Sequence, residues 1–120
     1  MMLKEKTHAL ISSNRVEGTA VYGREDNHIG SVKELLIEKR GGQVQDVIVS
    51  VGGFLGLGSD LHSLPWSKLD YDVDLGGYKL DVTEEELKNA PRFAENDAER
   101  PYDRDYQTSV YEYWTVTPYW

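Results

Sequence analysis

The sequence predicts a small, mainly β domain with one short helix near residues 84–90 and a C-terminal arm. Three observations predict it. Residues 44–51 hold a β-branched run, Val47, Ile48, Val49 and Val51, closed on both sides by glycine pairs. Turn-forming clusters at Ser12-Ser13-Asn14, Gly23 to Asn27 and Gly76-Gly77 separate short extended stretches in the pattern of hairpins. Apolar residues concentrate between Ala9 and Val82 and thin out after Phe93, so a folded part over residues 7–93 precedes a polar part over 94–120.

The first extended run spans Thr7 to Ile11 and ends at the Ser12-Ser13-Asn14 turn. Thr19 to Tyr22 then reads as a strand, Gly23 to Asn27 as a hairpin loop, and Ile29 to Val32 as the returning partner. Residues 32–38 contain good helix formers, but the flanking Gly30 and Gly41-Gly42, together with Val32, Leu35 and Ile37, favour a long twisted strand whose register changes midway. The near-continuous apolar character of the next strand, Val44 to Val51, predicts burial on both faces. A short strand around His62 to Leu64 leads into the turn at Pro65-Trp66. A last hairpin runs from Leu69 to Val73, turns at Gly76-Gly77 and returns over Tyr78 to Val82. Thr83 caps a helix with Glu86 at the capping-box position and acidic residues in the first turn, and Pro91 stops it. From Ala94 to Gln107, Asp, Glu, Arg and Asn dominate, which reads as a flexible arm.

At 120 residues there is room for one core. The chain has no cysteine, which excludes disulfides, thiolate nucleophiles and cysteine-held zinc or iron–sulfur sites. A net charge of −8 opposes direct contact with nucleic acid and suits a basic or neutral protein partner. No apolar run is long enough to span a bilayer, and the start, Met1 to Lys6, lacks the apolar segment of a signal peptide. The expectation is a cytoplasmic protein without a membrane span.

No motif brings reactive groups together. Gly53 and Gly58 have the outer spacing of a phosphate-binding loop, but Ser59-Asp60 stand where Lys and Ser/Thr are needed. The glycine-rich stretch therefore reads as an inter-strand loop whose Phe54, Leu55 and Leu57 either plug the core or form a docking surface. Asp70, Asp72 and Asp74 match the first half of a calcium loop, but Leu75 replaces the turn glycine, so a solvated strand face outweighs a cation site. His8, His28 and His62 lack metal-ligand spacing, and no serine sits in a G-x-S-x-G elbow. No catalytic residue, metal ligand or cofactor is expected. More than half of the tyrosines lie in the last fifth of the chain, with Trp114 and Trp120. Two readings of these aromatics stand side by side: an arm folded back to bury Tyr111, Tyr113 and Trp114 over the barrel, or a recognition arm that includes Tyr119 and Trp120.

Val21-Tyr22-Gly23 with Ile29-Gly30-Ser31-Val32, the 44–51 strand, Val51 to Gly58, Leu64-Pro65-Trp66, and Leu80-Asp81-Val82-Thr83 leading into Leu87 to Pro91 together resemble the PRC-barrel family. The resemblance covers about Thr7 to Phe93 and implies a strongly bent, partly open antiparallel β-barrel, as in the reaction-centre H subunit's cytoplasmic domain and the ribosome-maturation factor's C-terminal domain. Both use the barrel as a non-catalytic contact surface. This sequence has neither a membrane helix nor a second barrel ahead of it, so it is similar to the stand-alone bacterial subgroup. The resulting expectation is a self-associating, non-enzymatic interaction module, a homodimer or higher oligomer. Its candidate surface is Phe54, Leu55, Leu57, Trp66, Tyr111, Tyr113, Trp114, Tyr119 and Trp120. A ligand or cation sensor at the aspartate row, and a ribosome-associated accessory protein acting through a protein contact, are the alternatives.

Overall fold

The computed structural model describes residues 9–52, 60–118 and 120. Seven strands form one sheet in the order β5-β6-β1-β2-β3-β4-β7. They are β1 (Ala20–Tyr22), β2 (His28–Ile37), β3 (Val44–Val51), β4 (Asp60–Pro65), β5 (Asp70–Asp72), β6 (Gly77–Lys79) and β7 (Arg92–Phe93). The sheet is bent and not closed, with β5 and β7 as its edges. This is the mainly β, partly open architecture the sequence predicts.

The bend has a local cause. Along β2 and β3, Val32 pairs with Val49 and Glu34 with Ile48, so Lys33 is an extra residue on β2. Leu36 pairs with Asp46 and Ile37 with Val44, so Gln45 is extra on β3. Such bulges curve a ladder and increase its twist. Two glycines permit close backbone approach. A Cβ at Gly30 would lie 2.4 Å from the Ser50 carbonyl oxygen, and one at Gly77 would lie 2.6 Å from that of Ala20. Gly77 thus belongs to the strand, β6, rather than to the turn before it.

The sheet is mixed rather than wholly antiparallel, because β6 runs parallel to β1, with Val21 against Tyr78 and Tyr22 against Lys79. The returning strand is also shorter than expected. Leu80 N–H still donates to the Tyr22 carbonyl at 2.8 Å, and beyond it the chain turns, Val82 N–H bonding back to the Leu80 carbonyl at 2.7 Å. At the other end of the chain, residues 9–11 form no strand, and residues 1–8 lie outside the described ones. Ser12 to Asn14 begins a single helical turn, α1 (Ser13–Val16), which buries Val16.

The helix α2 (Glu84–Lys88) is built as its sequence requires. Thr83 Oγ1 accepts from Glu86 N–H at 3.1 Å, and Glu86 Oε1 accepts from Thr83 N–H at 2.8 Å. Leu87 is fully buried on its inner side. The core cluster is built around Val21, Val32, Val47, Val49, Val51, Leu64 and Leu80. The strand expected to be buried on both faces, β3, has Asp46 to Val49 all buried.

The largest departure concerns the polar segment. The stretch read as a flexible arm, Ala94 to Gln107, contains a 3-10 turn (Arg100–Tyr102) and the start of a helix, α3 (Arg104–Tyr113). Tyr106, Val110, Tyr111 and Trp114 from this segment join the core cluster. Their spacing, with two four-residue steps and one three-residue step, places all four on one helical face. Burial of that face offsets the entropy that an acidic composition alone does not.

Candidate functional site

Buried polar groups on β3 and β4 are used to hold α3 against the sheet. Beyond His62, β4 has lost its β7 partner, and the Ser63 N–H on that side meets Tyr106 Oη at 3.3 Å. The Tyr106 hydroxyl in turn donates to the Pro91 carbonyl at 3.1 Å. His62 Nδ1 lies 3.1 Å from the same carbonyl, which assigns its proton to Nδ1. Farther along the helix, Tyr111 Oη donates to Asp46 Oδ1 at 2.7 Å.

Their titration follows from burial. Desolvation lowers the His62 pKa below the ordinary imidazole value, and the carbonyl of Pro91 only partly opposes it. Desolvation raises the Asp46 pKa, with the Tyr111 hydrogen bond working against it. The Tyr106 hydroxyl is pushed up to about 12, again chiefly by burial, so it stays protonated and available as a donor. These three groups are structural ties.

The residues singled out by sequence are dispersed. Phe54, Leu55, Leu57 and Tyr119 lie outside the described residues, as does His8. Trp66 is half-buried in the 3-10 turn after β4, edge-on to Tyr78 at 5.4 Å. Tyr111 and Trp114 are 4% and 5% exposed, so the expectation that they form a contact surface is corrected: both serve this chain's own core. Tyr113 stays exposed and donates its hydroxyl to the Glu86 carbonyl at 2.6 Å, tying α3 to α2. Trp120 is exposed on one side, packs edge-on to Tyr111 at 5.1 Å, and carries the Arg104 guanidinium 4.1 Å over its ring. The folded-back reading of the aromatic tail therefore holds for Tyr111 and Trp114, with a helix in place of an extended arm.

The aspartate row does not converge either. Asp70 and Asp72 sit on β5, but Asp74 falls in the turn, and Asp72 Oδ1 accepts from Leu75 N–H at 3.0 Å. Among the described residues no three acidic or histidine side chains are grouped to hold a metal ion.

A groove that sequence reasoning missed opens where β2 ends and β3 begins, against the start of α3. Ile37 and Tyr102, 50% and 62% exposed, stand at its rim with Glu38 and Leu36. Gln45, Asp46 and Gln107 complete it. The signal for Ile37 was available, since an isoleucine next to a bulge near a strand end leaves the core pattern. Tyr102 carried none, because its position depends on α3.

The fold and its surfaces can be placed among known proteins. The PRC-barrel domain family model matches residues 9–87, from α1 into α2. The chain belongs to the PRC-barrel family. Among solved structures, this PRC-barrel is similar to the Pseudomonas aeruginosa protein described as the 16S ribosomal RNA processing protein RimM, with 16% identity and a TM-score of 0.41. The likeness covers 65% of this chain and 47% of that one, so the PRC-barrel chain spans less than half of that protein's length. No curated protein matches. Among the described residues no helix is long and apolar enough to cross a membrane.

Proposed function

We propose that this PRC-barrel is a non-catalytic protein-interaction and assembly module that self-associates. One observation carries the reading: the open sheet exposes large apolar side chains, while Tyr106, His62 and Asp46 each bond within the fold. Ile37, Tyr71, Val73 and Tyr102 are each at least 40% exposed. They lie near the open edge strand β5 and around the groove beside α3. Exposed apolar surface of this kind gains free energy when a partner covers it. Of the buried ionisable groups a reaction would draw on, Asp46 and Tyr106 instead tie α3 to the rest of the fold, and His62 is bonded to the Pro91 carbonyl.

Static light scattering across a concentration series tests the reading. A mass that rises toward a dimer or higher oligomer at high micromolar concentration is expected. A strict monomer throughout removes self-association.

A further inference from the structure

We infer that the groove between the end of β2 and the start of α3 receives an arginine side chain presented by an apolar segment of a partner protein. The inference adds partner chemistry to the interaction reading and is independent of self-association.

The groove is short of donors. Asp46 is 3% exposed, and its carboxylate accepts from one neutral hydroxyl, that of Tyr111 at 2.7 Å. An ionised carboxylate has about four acceptor positions. Gln107 Oε1 is buried without a hydrogen-bond partner, although the Nε2 of the same amide donates to the Pro101 carbonyl at 3.0 Å. Buried polar groups in folded proteins are ordinarily paired, so two under-used acceptors lining one opening define the missing group as a donor. Glu38 at the rim makes it a cationic one.

Shape and charge narrow the choice further. The groove holds about 130 Å³, well below the roughly 300–1,000 Å³ of cofactor and drug-sized pockets, and suits one side chain. Guanidinium offers five donors in a planar fork and stacks on aromatic faces, whereas ammonium is a compact point charge. Tyr102 supplies the aromatic face, and Leu36 and Ile37 supply apolar walls for the aliphatic stem. The exposed Ile37 and Tyr102 extend past the opening, which favours an apolar segment around the arginine over a free guanidine compound. No basic residue lines the groove. The nearby cation Arg100 is paired with Asp97 and Asp103, while Lys39 and Arg40 lie in the turn after Glu38. The net charge of −8 steers a basic partner inward.

The test is an NMR titration of the full isotope-labelled chain with a blocked heptapeptide carrying one central arginine among leucine and alanine. The same peptide with citrulline and a blocked single arginine serve as comparisons. Saturable shifts are expected at the amides of Ile37, Glu38, Asp46, Tyr102 and Gln107, stronger for the arginine heptapeptide than for either comparison. Asp46→Asn should weaken binding by roughly tenfold, the loss associated with a charge-assisted hydrogen bond. Tyr102→Ala, at an exposed position, should weaken it with the fold intact. Equal binding of the citrulline peptide, shifts centred elsewhere, equal binding of single arginine, or no binding at millimolar peptide overturns the inference. None of these results bears on the oligomeric mass, so the two readings fail separately.

Discussion

Replacing Tyr106 by phenylalanine isolates the contact that makes α3 part of the domain. The ring keeps its edge-on contact with Phe93 at 5.7 Å, so only the hydroxyl is lost. That hydroxyl donates to the Pro91 carbonyl and accepts from Ser63 N–H. The carbonyl retains His62 Nδ1 as a partner, so this half of the loss is about 1 kcal/mol, typical of a neutral hydrogen bond. The Ser63 amide, on a residue 3% exposed at a position β7 does not cover, loses the acceptor that Tyr106 provides. An orphaned buried donor costs about 1–3 kcal/mol, which brings the sum to about 2–4 kcal/mol. At roughly 4 °C per kcal/mol for a domain of this size, the midpoint should fall by about 8–16 °C. Urea unfolding with an unchanged m-value is the assay, and amide exchange at Ser63 should accelerate alongside it. Tyr102→Phe, at an exposed ring, should change nothing. A Tyr106→Phe loss smaller than about 0.5 kcal/mol would refute the view that this hydroxyl locks the helix to the sheet.

Three further outcomes follow from the same geometry. His62 binds its proton less readily in the fold than the ordinary 6.5, so its contribution to stability is complete above that pH and declines as pH falls through the window below it. A native-state ring titration with a midpoint at or above 6.5 would contradict its burial. Asp46 has the opposite sign: its raised pKa favours the fold at low pH, and that contribution is withdrawn as pH rises through the folded value. Asp46→Asn keeps an acceptor for Tyr111, so thermal unfolding at pH 7 should show a higher midpoint than wild type with the gain vanishing near pH 4. A lower midpoint at pH 7 rules this out. Thr83→Ala removes the capping-box acceptor and should cost about 1 kcal/mol, while Thr83→Ser should be nearly neutral by denaturant unfolding.

The buried carboxylate gives these measurements a functional edge. A group that destabilises the fold at neutral pH is retained at a cost, and positions of that kind are common where a protein meets its ligands. If Asp46→Asn stabilises the chain and also weakens the arginine peptide, the same residue accounts for both effects.

Local chemistry determined a large part of this protein. The β-branched run of β3, the hairpin from β1 to β2 and the Thr83–Glu86 box were legible because each depends on residues close in sequence: side-chain periodicity, turn propensity and reciprocal capping. The order of those pieces also carried the family. Tertiary structure alone decided the parallel join of β6 to β1, since strand pairing at that separation leaves no mark in either strand's pattern. It also decided the fate of residues 104–113. The polar composition up to Gln107 describes a flexible arm, and the stripe of Tyr106, Val110, Tyr111 and Trp114 acquires its value only when the open side of β4 and the Asp46 carboxylate are there to receive it. The groove beside α3 exists for the same reason: its walls come from segments about 60 residues apart, and no local pattern records that they meet.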